Sequence, residues 1–313
     1  MRRYRMAAVE PPTMVQAGKG SLKRGEHRQQ READPEAPLH FPDHWNEADV
    51  RGVLYASQGR VCGFCGSLLP QNDRGDVEHY RPKNSVKSGA RIEAPNGGYW
   101  WFAYELGNYL LSCSRCNRTL KRTKFPLRDE ARRLRYDTRK DLAAEDPVLA
   151  HPAWEDLEDW VIADLENGFL EPAPGLDAEQ RRRVEAIGEF FRWNRDALLV
   201  QDRRRVISEA LRCLEDGRED AVRVMASRHS RHSLLVVQLL KQLNREELIP
   251  SADEERQSMA IEVLAELEIE PGEEERLWVL RTLWELSGAA VRGWLEQRWE
   301  EAGCRVEVEK LRF

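Results

Sequence analysis

A chain of 313 residues in which 41% are hydrophobic is long enough to bury one large core or two ordinary ones. No run of about 18 uncharged apolar residues occurs, and the opening MRRYRMAAVEPP lacks the apolar stretch of a signal peptide, so the cytoplasm is the expected compartment. The net charge of -6 argues against nucleic acid as a partner when averaged over the chain, but the charge is segregated: positions 51–140 carry 18 Lys/Arg and 8 Asp/Glu, which leaves 31 basic and 47 acidic residues elsewhere. A basic segment joined to an acidic remainder fits local phosphate binding, although an ordinary solvated surface has the same composition.

Residues 1–40 are polar and Pro-containing, and GKGSLKRGEHRQQREADPEAP has no apolar period, so a basic extended arm is expected there. A helix is expected from Asn46, as N-cap, through ADVRGVLYASQ to a stop at Gly59. From Arg60 to Leu127 the texture is short-period and rich in Cys, Gly and aromatics, which suits a compact metal-tied unit. From about Asp177 apolar residues recur at three-to-four spacing, in AEQRRRVEAIGEFFRWNRDALLVQDRRRVISEALRCLED, SLLVVQLLKQLN, ERQSMAIEVLAEL and EEERLWVLRTLWELSGAAVRGWLEQRWEEAG. That periodicity predicts a helical second half, and the alternation of CRVEVEKL at the end predicts one short strand. No repeat of fixed period is present.

Six cysteines fall as two CxxC pairs, Cys62/Cys65 and Cys113/Cys116, with Cys213 and Cys304 as singles expected to pack rather than react. Two CxxC turns supply four thiolates with the bite of a tetrahedral structural Zn²⁺ site, and the separation of the pairs means that one ion would tie together segments enclosing everything between them. A thioredoxin-type redox pair, which needs a βαβ setting, and four unrelated core cysteines are the competing readings.

Between the pairs lie Asp76-Val77-Glu78-His79-Tyr80-Arg81-Pro82-Lys83 and Asn108-Tyr109-Leu110-Leu111-Ser112-Cys113, followed by Cys116-Asn117-Arg118-Thr119-Leu120-Lys121. A neutral imidazole can take a proton from water near pH 7, and a carboxylate with an amide oxygen makes a hard ligand pair for Mg²⁺ or Mn²⁺, which is the chemistry that phosphodiester hydrolysis needs. This constellation resembles the HNH (ββα-metal) nucleases. The resemblance implies an α+β, mostly α chain with a zinc-stabilised ββα-metal HNH core over residues 41–150 and an α-helical domain over 151–313. It also implies Glu78 and Asn117 as ligands of the catalytic metal, His79 as general base, and Asn108 as the residue that braces the ribbon and orients the base. Arg81, Lys83, Lys121 and Arg122 are expected to meet the nucleic-acid backbone.

The sequence departs from the usual family pattern in three places. Glu78 stands where Asp is common, Asn117 replaces the final His, and the span from His79 to Asn108 is long, which points to an inserted loop. Within that span Tyr99-Trp100-Trp101-Phe102-Ala103-Tyr104 could stack unpaired bases, but packing of the ribbon is the favoured role. His151, His229 and His232 are expected to be loop or surface residues.

A narrower likeness covers about 200 residues. The MRRYRM…EPP arm, CGFC, VEHYRPK, GYWWFAYELGNYLLSCSRCNRTLKRTKFPL and FFRWNRDALLVQDRR resemble the HNH proteins of Septu and retron antiphage systems. That resemblance implies an effector nuclease acting on DNA or RNA beside an ABC/SMC-type ATPase, with a retron reverse transcriptase as a further partner and the helical half as the docking surface. The rivals are a non-catalytic zinc module that only binds nucleic acid or protein, and a helical interaction scaffold carrying a degenerate site.

Overall fold

The computed structural model describes residues 11–251 apart from 16, 70–73, 89–91, 94–97 and 137–141. The two helical stretches expected after position 251, the terminal strand and Cys304 lie outside the described residues.

The fold is mixed α+β and mostly helical. The first element, α1 (Lys19–Ala33), corrects the expectation of an extended arm. Its sequence is weakly amphipathic, and it is held by a few contacts rather than by an apolar stripe: His27 is buried, donates from Nε2 to the His40 carbonyl (2.8 Å) and sets its ring edge-on against Phe41. Tertiary packing has overridden a pattern that carried no period. The next helix, α2 (Ala48–Gln58), stops where expected, at Gly59 with φ +71°. It begins one step later than expected, because His44–Asn46 form a 3₁₀ turn and Glu47 takes the cap position.

Strand β1 (Asp76–His79) is followed by the two-residue strands β2 (Lys87–Ser88) and β3 (Ile92–Glu93), which pair with each other, and then by β4 (Tyr109–Ser112). β1 and β4 pair antiparallel in the register Asp76↔Ser112, Val77↔Leu111, Glu78↔Leu110 and His79↔Tyr109. Directly after β4 the chain enters a π-helix, Arg115–Lys121. A two-stranded ribbon leading into a helical turn is the local architecture of this unit.

The second half opens with the hairpin β5 (Val161–Asp164) and β6 (Phe169–Pro172) and continues through α3 (Ala178–Phe190), α4 (Ala197–Glu215), α5 (Glu219–Ala226) and α6 (Ser233–Gln242). α3 starts in a capping box: Asp177 accepts from the backbone N–H groups of Glu179 and Gln180, and the Gln180 side chain accepts from the Asp177 N–H. Val206, Ala210 and Cys213 of α4 pack on Val222, Ala226, Val236 and Leu240, so Cys213 has the packing role its pattern predicted.

Position 150 is not a break in packing. A single core runs from Leu54, Phe64, Tyr109 and Leu110 through Leu149 to Val184, Ile187, Phe191 and Trp193. Phe64, within the first CxxC turn, stacks on Phe191 at a centroid distance of 4.5 Å, and its carbonyl accepts from the Trp193 indole N–H (3.2 Å). The next carbonyl but one, Gly66 O, accepts from the His232 backbone N–H (2.9 Å). The first CxxC turn is therefore clasped by the helical half.

Candidate metal centre and active site

The four cysteines that are far apart in sequence converge. Their sulfurs all lie within 4.8 Å of one another, and Cys62, Cys65 and Cys116 are buried. Cys65 Sγ and Cys113 Sγ are 3.9 Å apart, against about 3.8 Å for the edge of a tetrahedron with Zn–S bonds of about 2.3 Å. Both turns are built to hold a metal. In the first, Cys62 N–H donates to the Ser67 carbonyl (2.8 Å), Gly66 N–H returns to the Cys62 carbonyl (2.9 Å), and Gly66 has φ +75°, a conformation suited to glycine. In the second, the Cys116 N–H donates to Cys113 Sγ (3.4 Å) at the start of the π-helix.

The electrostatics favour a cation here. Burial pushes the Cys62 thiol well up, while hydrogen bonds from Cys113 and Cys116 hold Cys65 well down. Four sulfurs this close cannot all be ionised without a compensating positive charge, which a Zn²⁺ ion would supply. Thioredoxin-type chemistry is disfavoured by the same geometry, since the two CxxC turns meet as one cluster.

The β1–β4 ribbon positions the next layer. Glu78 and His79 are both buried. His79 donates from Nε2 to the Ala103 carbonyl (3.0 Å), which can only accept, so Nδ1 is the ring's proton acceptor. The ring is wedged edge-on between Trp45 (4.7 Å) and Tyr109 (5.0 Å), and the Tyr109 hydroxyl donates to the same Ala103 carbonyl (2.5 Å). Burial, with the charge of Lys83 beside it, holds the imidazole well below its usual pKa and so keeps it neutral. Burial also raises the Glu78 carboxyl, against the pull of Lys121.

Asn108 is bonded on both sides of the turn that follows β1. Its Oδ1 accepts from the Arg81 N–H (2.8 Å), its Nδ2 donates to the carbonyls of Arg81 (3.0 Å) and Phe102 (3.1 Å), and its own carbonyl accepts from the Tyr80 N–H (2.8 Å). The imidazole itself is bonded by the Ala103 carbonyl, and Asn108 holds the preceding carbonyl, that of Phe102. Asn117 sits half-buried on the π-helix and its carbonyl accepts from the Arg122 N–H (2.6 Å).

Of the four expected backbone-binding cations, two are engaged elsewhere. Arg81 is buried: its Nε donates to Glu145 Oε2 (2.7 Å), and its guanidinium lies within 6 Å of the Tyr80, Phe102, Phe125 and Trp154 ring centres. Lys121 is wholly buried, donating to Glu78 Oε1 (2.5 Å) and to the His79 carbonyl (2.9 Å). Both were read as surface cations because sequence does not show where a long side chain is drawn. Lys83 remains at the rim, its ammonium 4.0 Å from the Trp45 ring centre and its pKa pushed down to about 8 by burial. Arg122 is exposed.

Glu145 was not singled out by sequence, yet it is a hub. Fully buried, it accepts from Arg81, from the Tyr99 hydroxyl (2.5 Å) and from the Leu134 N–H (3.1 Å). Removing one partner of a buried ion pair costs about 3–5 kcal/mol. Glu145→Ala is expected to lower unfolding stability by that amount in urea titrations, and a loss under about 1 kcal/mol would contradict its role as the pair's anchor. The Ala103 carbonyl and Trp45 were also missed. A backbone carbonyl has no sequence signature, whereas an isolated Trp just before a helix was a visible cue.

The aromatic run packs as favoured: Tyr99, Trp100, Trp101 and Tyr104 are buried. The three histidines expected in loops or at the surface all lie in loops or turns, and two of them are buried. His151 is fully buried, stacked on Trp154 at 4.2 Å, and burial pushes its pKa down to about 3. His232 is buried against the first CxxC turn and bonded from Nε2 to Asp202 (2.9 Å). His229 is half-buried.

Comparison with known proteins adds a relationship. The chain is 31% identical over 121 residues to the Septu protein PtuB of Bacillus mycoides (strain KBAB4), a match covering 37% of this chain and 39% of that protein. Over that stretch the chain is similar to PtuB. It spans about two-fifths of the length of the PtuB it matches, and no protein-family model matches it. Among the described residues no helix is long and apolar enough to cross a membrane.

Proposed function

We propose that the chain is a metal-dependent endonuclease of the HNH type, the antiphage effector of a Septu-like system, hydrolysing nucleic-acid phosphodiesters in concert with an ABC/SMC-type ATPase. The observation that carries the reading is the setting of His79: buried, bonded through Nε2 to a backbone carbonyl, and next in strand to a buried carboxylate. A histidine packed merely for stability has no need of an adjacent carboxylate buried against a lysine. The similarity to PtuB supports the defence role.

In this reading Glu78 and Asn117 hold Mg²⁺ or Mn²⁺, which supplies charge neutralisation for the phosphate and for the departing 3′ oxygen. The buried carboxylate is a hard oxygen donor of the kind such an ion takes. His79 Nδ1 takes the proton of the attacking water, and the resulting imidazolium is stabilised by its hydrogen bond to the Ala103 carbonyl. Lys83 and Arg122, at or beyond the rim, steer the backbone without reading bases. The acidic helical half, clasping the first CxxC turn, is the proposed docking surface for the ATPase. The cytoplasm is the proposed compartment and DNA the favoured substrate, with RNA as the alternative.

The test is a cleavage assay with plasmid, single-stranded DNA and RNA, with and without Mn²⁺, for wild type and Glu78→Gln. Mn²⁺-dependent cleavage of one substrate by wild type, absent in Glu78→Gln, is the expected result. Binding of nucleic acid with no cleavage under any condition, ATPase included, would favour the non-catalytic zinc module.

A further inference from the structure

Lys121 has no role in the mechanism above, although it is the most completely buried cation next to the candidate active site. It lies at the last position of the π-helix, where the chain has an extra residue per turn and the Arg122 N–H reaches back five residues to the Asn117 carbonyl (2.6 Å). The residue that follows, Arg122, is held at φ +52°, ψ -121°, a conformation that side-chain-bearing residues rarely adopt. Strained backbone of this kind persists only where surrounding contacts enforce it. Here the contacts are those of the Lys121 ammonium, bonded to Glu78 Oε1 (2.5 Å) and to the His79 carbonyl (2.9 Å).

A buried ion pair is a poor source of stability, because desolvation offsets most of the attraction. The pair does have one definite effect: it places a monovalent cation on the carboxylate assigned to a divalent one. An ammonium at hydrogen-bond distance from Glu78 and an ion ligated by the same carboxylate would repel each other across a poorly screened interior. The two cations compete for the one carboxylate.

We infer that Lys121 is a latch that competes with a divalent ion for the carboxylate of Glu78 and must be drawn off Oε1 for that ion to bind tightly, with the strained turn at Arg122 as its hinge. The inference rests on the reading of Glu78 as a metal ligand. Its consequence is a nuclease with weak intrinsic affinity for its catalytic metal, in which any contact that straightens the 117–122 turn raises that affinity. The exposed Arg122, adjacent to the latch, is where a phosphate or a partner would act. Once released, the Lys121 ammonium would be free to meet the substrate backbone.

The experiment is a Mn²⁺ titration of the zinc-loaded full chain, followed by the electron paramagnetic resonance signal of free Mn²⁺, for wild type, Lys121→Met and Lys121→Met/Glu78→Gln. Lys121→Met, which keeps length and removes charge, is expected to bind Mn²⁺ at least ten-fold tighter than wild type, with the gain abolished in the double variant. Equal or weaker binding in a folded Lys121→Met that retains its zinc overturns the latch and leaves the metal site standing. Absence of Mn²⁺ binding in both wild type and Lys121→Met removes Glu78 as a metal ligand, and the latch falls with it. Should Lys121→Met fail to fold, hydrogen exchange of wild type decides: Mn²⁺ is expected to increase exchange at residues 118–123, and unchanged exchange with Mn²⁺ bound overturns the proposal.

Discussion

Replacing Cys113 and Cys116 by Ser is expected to abolish cooperative folding of the chain. A structural zinc site contributes about 10–16 kcal/mol of binding free energy at neutral pH, which equals or exceeds the roughly 5–15 kcal/mol that separates most folded domains from their unfolded ensemble. The local structure gives that energy leverage over both halves. Cys113 follows β4 and Cys116 opens the π-helix, so losing the metal frees the strand that pairs with Glu78 and His79. The first CxxC turn, left with two thiols, no longer offers Phe64 and Gly66 carbonyls at fixed positions to Trp193 and His232. Metal analysis should find one zinc per wild-type chain and none in the double variant, and circular dichroism should show the sharp thermal transition replaced by a broad one. A variant that keeps both its melting temperature and its near-ultraviolet signal without zinc would reduce the cluster to ordinary packing.

The second large effect concerns catalysis and spares the fold. His79→Ala is expected to lower cleavage by about 100-fold to 10,000-fold, the range for loss of a positioned general base. Stability should change less. The variant loses a ring packed on Trp45 and Tyr109 and one hydrogen bond to a carbonyl that keeps the Tyr109 hydroxyl as donor. No buried polar group is left without a partner, which limits the cost to the cavity left behind, about 1–3 kcal/mol. Zinc content should stay at one per chain. Added imidazole should restore part of the activity, because Nδ1 acts on water rather than through a covalent intermediate. A loss of activity that merely tracks a loss of zinc would return His79 to a structural role.

Much of this arrangement was legible in the residues themselves. The doubled CxxC spacing located the four-sulfur cluster because only a few side chains and one geometry satisfy a tetrahedral ion. The three-to-four periodicity located α3, α4 and α6 because an apolar stripe must be buried. The ribbon and the following turn were implied by the resemblance of Glu78-His79, Asn108 and Cys116-Asn117 to the HNH pattern. What escaped notice depends on through-space chemistry that no period encodes. Arg81 and Lys121 read as phosphate binders from their charge, and both instead found buried carboxylates, one of them 64 residues away. The helix at Lys19–Ala33 has no apolar stripe to announce it and owes its place to contacts such as His27 with Phe41. The unit that orients the imidazole is a backbone carbonyl, at a position where any residue would supply the same atom.

The measurement that bears most directly on the whole account is nicking of supercoiled plasmid by the zinc-loaded chain in the presence of the proposed ATPase partner and Mn²⁺, run beside His79→Ala. The account predicts nicks from wild type that require Mn²⁺ and nearly vanish in the variant. Nicking at equal rates by both proteins would contradict it.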